Sequence, residues 1–274
     1  MSYVDLDSDI SKNTFDILSN DYSDKFRILY ITKHRKFGIL NRIEAHVPCE
    51  TPFLYTYISD DDSEYLYENQ RIGNKIMESK KDLRNYCYTP IYARPNTTVN
   101  YKYYYKIYST NSSNKEPIVI TKSLNNIWSV TDKIFQRYYM DIVFNSGLVK
   151  YDDCPDKIQI YKPIYMSSIL NWTTSYPHKL YTANCKSVIA YRNISSTYNT
   201  DLNRYVLKFT VNGGIPSEKN SCFIEKDQTD DSKPSLELLR ISKDIISVIY
   251  RSPFTFLHAF TYGVARAHSV NKYI

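Results

Sequence analysis

The chain has 274 residues, 42% hydrophobic and 23% charged, with a formal net charge of +6. That balance is globular rather than disordered, and the length suits one large domain or two small ones. Only six glycines are present, none set as GxGxxG or GxxxxGK[ST], which excludes the Rossmann and P-loop nucleotide folds; tyrosine, at 28 residues, is in excess.

Residues 1–23 are polar, with Leu6, Ile10 and Ile17 near one helical face and Ser8 or Asp9 placed to cap a helix start. A helix so thinly apolar buries little against its own domain, so this segment reads as an arm packed on another chain. Its acidic start has no basic n-region or apolar core, so no signal peptide is expected. No apolar run approaches the roughly 18 residues of a membrane span.

From Phe26 the pattern turns to β. Segments 26–31, 53–58, 99–108, 117–121, 139–144, 157–161, 187–192 and 205–211 are short, β-branched or aromatic, and mostly bounded by turn-formers. Two helices interrupt them. Segment 74–86 carries Ile76, Met77 and Leu83 between charges and reads as amphipathic. Asp231-Ser232-Lys233-Pro234 is a helix-start signal. The following segment, 235–250, has apolar residues on more than one face and predicts a buried helix that Ser252-Pro253 ends. Segment 218–233 reads as a mobile loop, and 254–274 as an aromatic and then basic tail. The sum is a mainly β chain with helices (α+β). It predicts a β-sandwich core over 24–274 with an extended N-terminal helix and a buried C-terminal helix.

Catalytic chemistry is not legible. Cys49, Cys87, Cys154, Cys185 and Cys222 are at least 31 residues apart, which suits free thiols rather than a disulfide framework or a zinc site. His34, His46, His178, His258 and His268 show no HxxxH or HExxH spacing. Nothing local supports Cys185 with His178 as a nucleophilic pair, and Asp60-Asp61-Asp62 lacks the alternating oxygens of a calcium loop. No catalytic residue, metal ligand or required cofactor is therefore expected, and the chain reads as a non-enzyme.

The run Tyr101-Lys102-Tyr103-Tyr104-Tyr105-Lys106 interleaves rings and cations. On a strand, Tyr101, Tyr103 and Tyr105 share one face, with Lys102, Tyr104 and Lys106 on the other. That is an ordinary half-buried strand or, as the alternative, a viral single-stranded nucleic-acid-binding face of nucleocapsid or movement type. Tyrosine also suits interfaces, and it ionises in alkali. With reference pKa values the net charge falls from +6 to roughly −40 at pH 11, enough to drive a dense lattice of such chains apart.

Tyr55-Thr56-Tyr57-Ile58-Ser59-Asp60, then Ser63, Gly73, Lys81, Leu83 and Tyr86, resemble the first strand, turn and helix of the cypovirus polyhedrins. Ser252-Pro253, an aromatic stretch and Tyr262-Gly263-Val264-Ala265 resemble that family's C-terminus. The resemblance implies a structural protein of viral occlusion bodies. Its trimers would pack into crystals in the cytoplasm of infected insect cells, embed virus particles and dissolve at alkaline pH. Its partners would be itself and virions, with no membrane. Nucleotides at subunit contacts come with the resemblance alone, without site residues.

Overall fold

The computed structural model describes residues 26–48, 87–96, 103–110, 117–124, 127–132, 138–145, 157–163, 188–201, 203–210, 214–215, 217 and 219–268. The chain opens with a long antiparallel hairpin, β1 (Arg27–Lys36) and β2 (Ile39–Pro48). A two-residue strand, β3 (Cys87–Tyr88), pairs with the end of β2. An antiparallel meander follows: β4 (Ile91–Pro95), β5 (Tyr103–Ser109), β6 (Val119–Leu124), β7 (Ile127–Asp132), β8 (Tyr138–Asn145), β9 (Lys157–Pro163) and β10 (Val188–Asn193). A separate small hairpin, β11 (Thr197–Asn199) with β12 (Arg204–Val206), precedes β13 (Ser221–Glu225), β14 (Leu236–Arg240) and β15 (Ile245–Tyr250). Helix α1 (Phe256–His268) comes last.

The strand order is β1-β15-β14-β13-β10-β9-β8-β7-β6-β5-β4-β2, and β2 pairs back onto β1. The sheet is therefore a closed ring of twelve antiparallel strands, not the two stacked layers of a β-sandwich. Closure removes the unpaired edges that a sandwich leaves.

Ring size explains the helix. Twelve strands spaced about 4.8 Å and tilted about 40° enclose a cylinder roughly 24 Å across. Inward side chains narrow that to about the 10–12 Å of a helix with its own side chains. Helix α1 fills the space. It touches β1 and β15 on one side and β8, half-way round the ring, on the other. Residues 256–267 are all buried. The inward rows Leu29–Ile31, Ile43–Ala45–Val47, Ile246–Val248–Tyr250 and Leu236–Leu238 form one core with Phe256, Leu257, Phe260, Tyr262 and Val264. A second, smaller cluster lies outside the wall, where Phe26, Ile28, Tyr30, Leu239, Ile241, Ile245 and Ile249 pack with Phe209.

The segment expected as a buried helix, 235–250, is instead the β14–β15 hairpin. Both faces of that hairpin are covered, one by α1 and the other by the outer cluster. A strand buried on both sides reads as a continuous apolar run, and its period of two disappears. The buried helix lies later, in the segment expected as a tail. It is buried around its circumference, Thr261 and Arg266 included, because the barrel surrounds it. Within the expected loop, Cys222-Phe223-Ile224 form β13, buried between β10 and β14. The arm 1–23 with Leu6, Ile10 and Ile17, the strand 53–58 and the helix 74–86 lie outside the described residues.

The helix start is held by a reciprocal pair. The His258 backbone N–H donates to Thr255 Oγ1 at 3.4 Å, and the Thr255 N–H donates to His258 Nδ1 at 3.1 Å, the geometry of a capping box. At the other end His268 Nε2 hydrogen-bonds the Tyr105 hydroxyl and its ring lies 4.7 Å from that of Tyr103. Burial holds both histidines neutral, pushing His258 down to about 3 and His268 to about 4. Unfolded histidine titrates near 6.5. Below that pH the unfolded chain binds protons that the fold refuses. Their contribution is complete above about pH 6.5 and lost as pH falls toward 3–4. Thermal melts are expected to drop by more than about 10 °C between pH 7 and pH 4.5, and His268→Gln to flatten that slope. A pH-independent melting temperature would refute the assignment.

Candidate functional site

Of the residues that carried the resemblance, Ser252, Pro253, Tyr262, Gly263, Val264 and Ala265 lie among those described. Ser252 and Pro253 do not end a helix; they form the turn from β15 into α1, where the Pro253 carbonyl accepts a hydrogen bond from Lys162 Nζ at 2.6 Å. Tyr262 and Gly263 sit inside the barrel on α1. The Tyr262 hydroxyl is 2.6 Å from Ser221 Oγ, and its ring meets Phe223 edge-on at 5.1 Å. At Gly263 a Cβ would come 2.0 Å from Ile31 Cδ1, so a side chain there requires the buried end of Ile31 to repack. Gly263→Ala is expected to destabilise by about 1–3 kcal/mol in chemical denaturation, and no change in midpoint would contradict the close contact. These roles are structural. Tyr55, Tyr57, Ser59, Asp60, Gly73 and Tyr86 lie outside the described residues.

The chemistry-bearing surface is on the outer wall of β2, β4 and β5, and it follows from strand alternation. On β2, Ile43, Ala45 and Val47 face the lumen, which turns Arg42, Glu44 and His46 outward. On β4, Ile91 and Ala93 face in, so Tyr92 and Arg94 face out. On β5, Tyr105 and Ile107 face in, so Lys106 and Tyr108 face out. The register pairs Ile43 with Ala93, which sets Arg42 beside Arg94, and it pairs Arg94 directly with Lys106. Three cations therefore stand in one row across three neighbouring strands, about 5 Å apart. Like charges directly opposed on a sheet are unfavourable, on the order of 1 kcal/mol per pair.

Aromatic rings hold this row in place. The Arg42 guanidinium lies 4.0 Å from the Tyr92 ring centre, and that of Arg94 lies 5.2 Å from the same ring. Tyr92 in turn stacks on Tyr108 at 5.4 Å. Two guanidinium groups against one ring have few rotamers left, so they present their N–H groups in a fixed direction.

Beside the row lies a polar network. Arg42 Nε is 2.7 Å from Glu44 Oε1, and His34 Nε2 donates to Glu44 Oε2 at 2.8 Å. The hydrogen bond from His34, with the nearby cations, holds the Glu44 carboxyl below its usual range despite partial burial. His46 bridges Thr32 Oγ1 at 2.7 Å and Thr89 Oγ1 at 2.8 Å; burial pushes it down to about 4, so it stays neutral beside Glu44. Glu44 is thus committed to Arg42 and His34. Among the described residues no carboxylate pairs with Arg94 or Lys106.

The sequence reading found Lys106 and its face but missed Arg42 and Arg94. The signal was available in β2, where Ile43, Ala45 and Val47 alternate with Arg42, Glu44 and His46. The opposition of Arg94 to Lys106 was not, because register across the seven residues between β4 and β5 is a tertiary fact. Among the described residues no three His, Cys, Asp or Glu side chains stand together as metal ligands.

Comparison with known families gives a match to the Tub family over residues 65–268, and the barrel with its C-terminal helix is the architecture of that domain. No curated protein matches the chain. The match overturns the resemblance to cypovirus polyhedrins, and with it the occlusion-body function and the location inside occlusion bodies. Nothing favours the nucleic-acid-binding alternative. Short spacings of Tyr, Gly and Ser-Pro arise readily in a chain with 28 tyrosines, which is why they misled. The trimer, the virion cargo and the nucleotides rested on that resemblance alone.

Proposed function

Because the chain belongs to the Tub family and its barrel wall carries a row of opposed cations, we propose that it is a non-enzymatic binding protein for ligands bearing more than one phosphate group. One observation carries this reading: Arg94 and Lys106 are directly opposed, with no described carboxylate ion-paired to either, and Arg42, itself paired with Glu44, extends the row. An anion across the row relieves the repulsion and gains charge-assisted hydrogen bonds. A row about 10 Å long fits two or three linked phosphates better than one. A catalytic reading has less support, since the space that a barrel enzyme would use for substrate is taken by α1.

The test is calorimetric titration of the intact chain with tripolyphosphate at low salt. Binding that weakens as salt is raised is expected, because Arg94 is exposed and Arg42 and Lys106 are partly so. Absence of heat at low salt would reject the reading.

A further inference from the structure

The lumen-facing rows of the barrel change from apolar to cationic at the end where α1 terminates. On β1 the inward row Leu29–Ile31 continues to Lys33, which pairs with the inward Ile43 of β2. On β14 the inward row Leu236–Leu238 continues to Arg240, which pairs with the inward Ile246 of β15. Ser221 of β13 pairs with Leu238, and two residues before it stands Lys219, whose ammonium donates to the Ala267 carbonyl in the last turn of α1 at 3.4 Å. Arg266 of that turn is buried, and its Nε donates to the Lys219 carbonyl at 3.2 Å. Burial, then the charges of Lys219, Arg35 and Lys33, keep His268 neutral, so all three stand close to the end of α1. Lys33, Arg35, Lys219, Arg240 and Arg266 thus converge on one mouth of the barrel. This mouth is on the lumen side of the sheet, whereas Arg42, Arg94 and Lys106 are on its outer side.

Internal partners do not balance that charge. Asp244, the carboxylate that acts on Lys33, is paired with Arg35 at 3.4 Å. The carbonyl end of α1 supplies about half a negative charge, which leaves an excess of about three positive charges. Burial first, then the charges of Lys33, Arg266, Arg240 and Arg35, push Lys219 down to about 8. Burial pushes Lys33 down to about 8 as well, against the pull of Asp244. Lys33 is 8% exposed, and among the described residues its ammonium makes no hydrogen bond or ion pair. The Arg240 Nε donates to the Ser242 carbonyl at 3.1 Å, and its two terminal nitrogens have no partner among the described residues. Gathering recessed cations is unfavourable unless an anion joins them. A buried ammonium beside a guanidinium fork suits the several acceptor oxygens of an oxyanion.

We propose that this mouth binds one compact divalent oxyanion, of the phosphate or sulfate class, between Lys33, Lys219 and Arg240. Compactness follows from the fold, since α1 fills the lumen and Lys33 is recessed within it. Double charge follows from the excess of cations. The site shares no residue with the outer row and does not rest on the reading proposed for that row.

The test compares melting temperatures of the full chain and its Lys33→Met and Arg94→Glu variants in about 10 mM inorganic phosphate and in sodium chloride of equal ionic strength. Methionine keeps the buried stem without the charge, so Lys33→Met is expected to melt no lower than the parent in chloride. Phosphate is expected to raise the melting temperature of the parent and of Arg94→Glu by about 3 °C or more, and that of Lys33→Met by less than about 1 °C. A general salting effect of phosphate acts on all three alike, so the difference between them is the reading. A second measurement needs no change at the site and decides the matter if Lys33→Met does not melt cooperatively. Arg94→Glu protein is reductively methylated at about pH 8 and read by mass spectrometry, because only the unprotonated amine reacts. Phosphate is expected to slow labelling of Lys33 and Lys219 severalfold and to leave the exposed Lys226 unchanged. Equal phosphate shifts in all three proteins, or unchanged labelling of Lys33, would overturn the proposal. Loss of the shift in Arg94→Glu with its retention in Lys33→Met would overturn it too, and would assign the phosphate to the outer row.

Discussion

Reversing one charge, Arg94→Glu, is expected to raise stability and abolish tripolyphosphate binding together. In the parent, Arg94 opposes Lys106 across β4 and β5 with no described carboxylate to share. A glutamate there converts a repulsive cross-strand pair into an attractive one, worth on the order of 1 kcal/mol, or a few degrees in melting temperature. The same change removes a guanidinium from the centre of the row and puts a carboxylate in the path of an incoming phosphate. Loss of charge-assisted hydrogen bonds plus repulsion predicts at least a 100-fold fall in affinity. Opposite signs in the two readouts are what separate a binding row from a structural one. A structural role would lower both, and unchanged affinity would move the site elsewhere. Arg94→Lys keeps the charge but not the planar stacking on Tyr92, so it is expected to retain part of the binding.

Phe260→Asp is expected to prevent folding altogether. Phe260 is fully buried at the middle of α1, with the barrel wall around it. Loss of a buried aromatic ring costs about 3–5 kcal/mol. An unpaired carboxylate in the same space adds several more, whether it stays charged or takes up a proton. That total reaches the 5–15 kcal/mol stability of a typical domain. The barrel has no way to compensate, since twelve strands without a filled lumen would leave their inward apolar rows facing a void or water. Circular dichroism should show no cooperative melt for Phe260→Asp. Phe260→Leu should melt cooperatively only a few degrees below the parent. A folded Phe260→Asp protein would mean that α1 can leave the lumen without loss of the wall.

Buried tyrosines bear on alkaline behaviour. Burial pushes the hydroxyls of Tyr105 and Tyr191 well above the usual tyrosine range. These groups resist ionisation in the fold, so their contribution is complete below about pH 10 and lost as pH rises beyond it. The tyrosine ionisation foreseen from composition therefore acts against the single folded chain.

How much was legible in sequence differs from element to element. β-Branched and aromatic runs found strands at the positions of β1, β5, β6, β8, β9 and β10, because side chains on a pleated surface favour those residues whatever the sheet becomes. The alternation that put Tyr103 and Tyr105 opposite Tyr104 and Lys106 holds in the structure, where Tyr105 is buried inside and Lys106 faces out. The candidate site is only partly legible: Lys106 stands in a run of rings and cations, whereas Arg42 and Arg94 join it only through the register of β2, β4 and β5.

What only the tertiary structure decided is where the faces point and what covers them. Local periodicity distinguishes one buried face from one wet face. It is silent when both faces are buried, as in the β14–β15 hairpin, or when a helix is surrounded on all sides, as α1 is. Closure of β1 on β2's ring, the entry of α1 into the lumen and the opposition of Arg94 to Lys106 all join residues distant in sequence or set by register. Composition and pattern fixed that this chain would be built of strands with aromatic and cationic residues between them. Long-range pairing turned those strands into a barrel around a helix and set three like charges side by side on its wall.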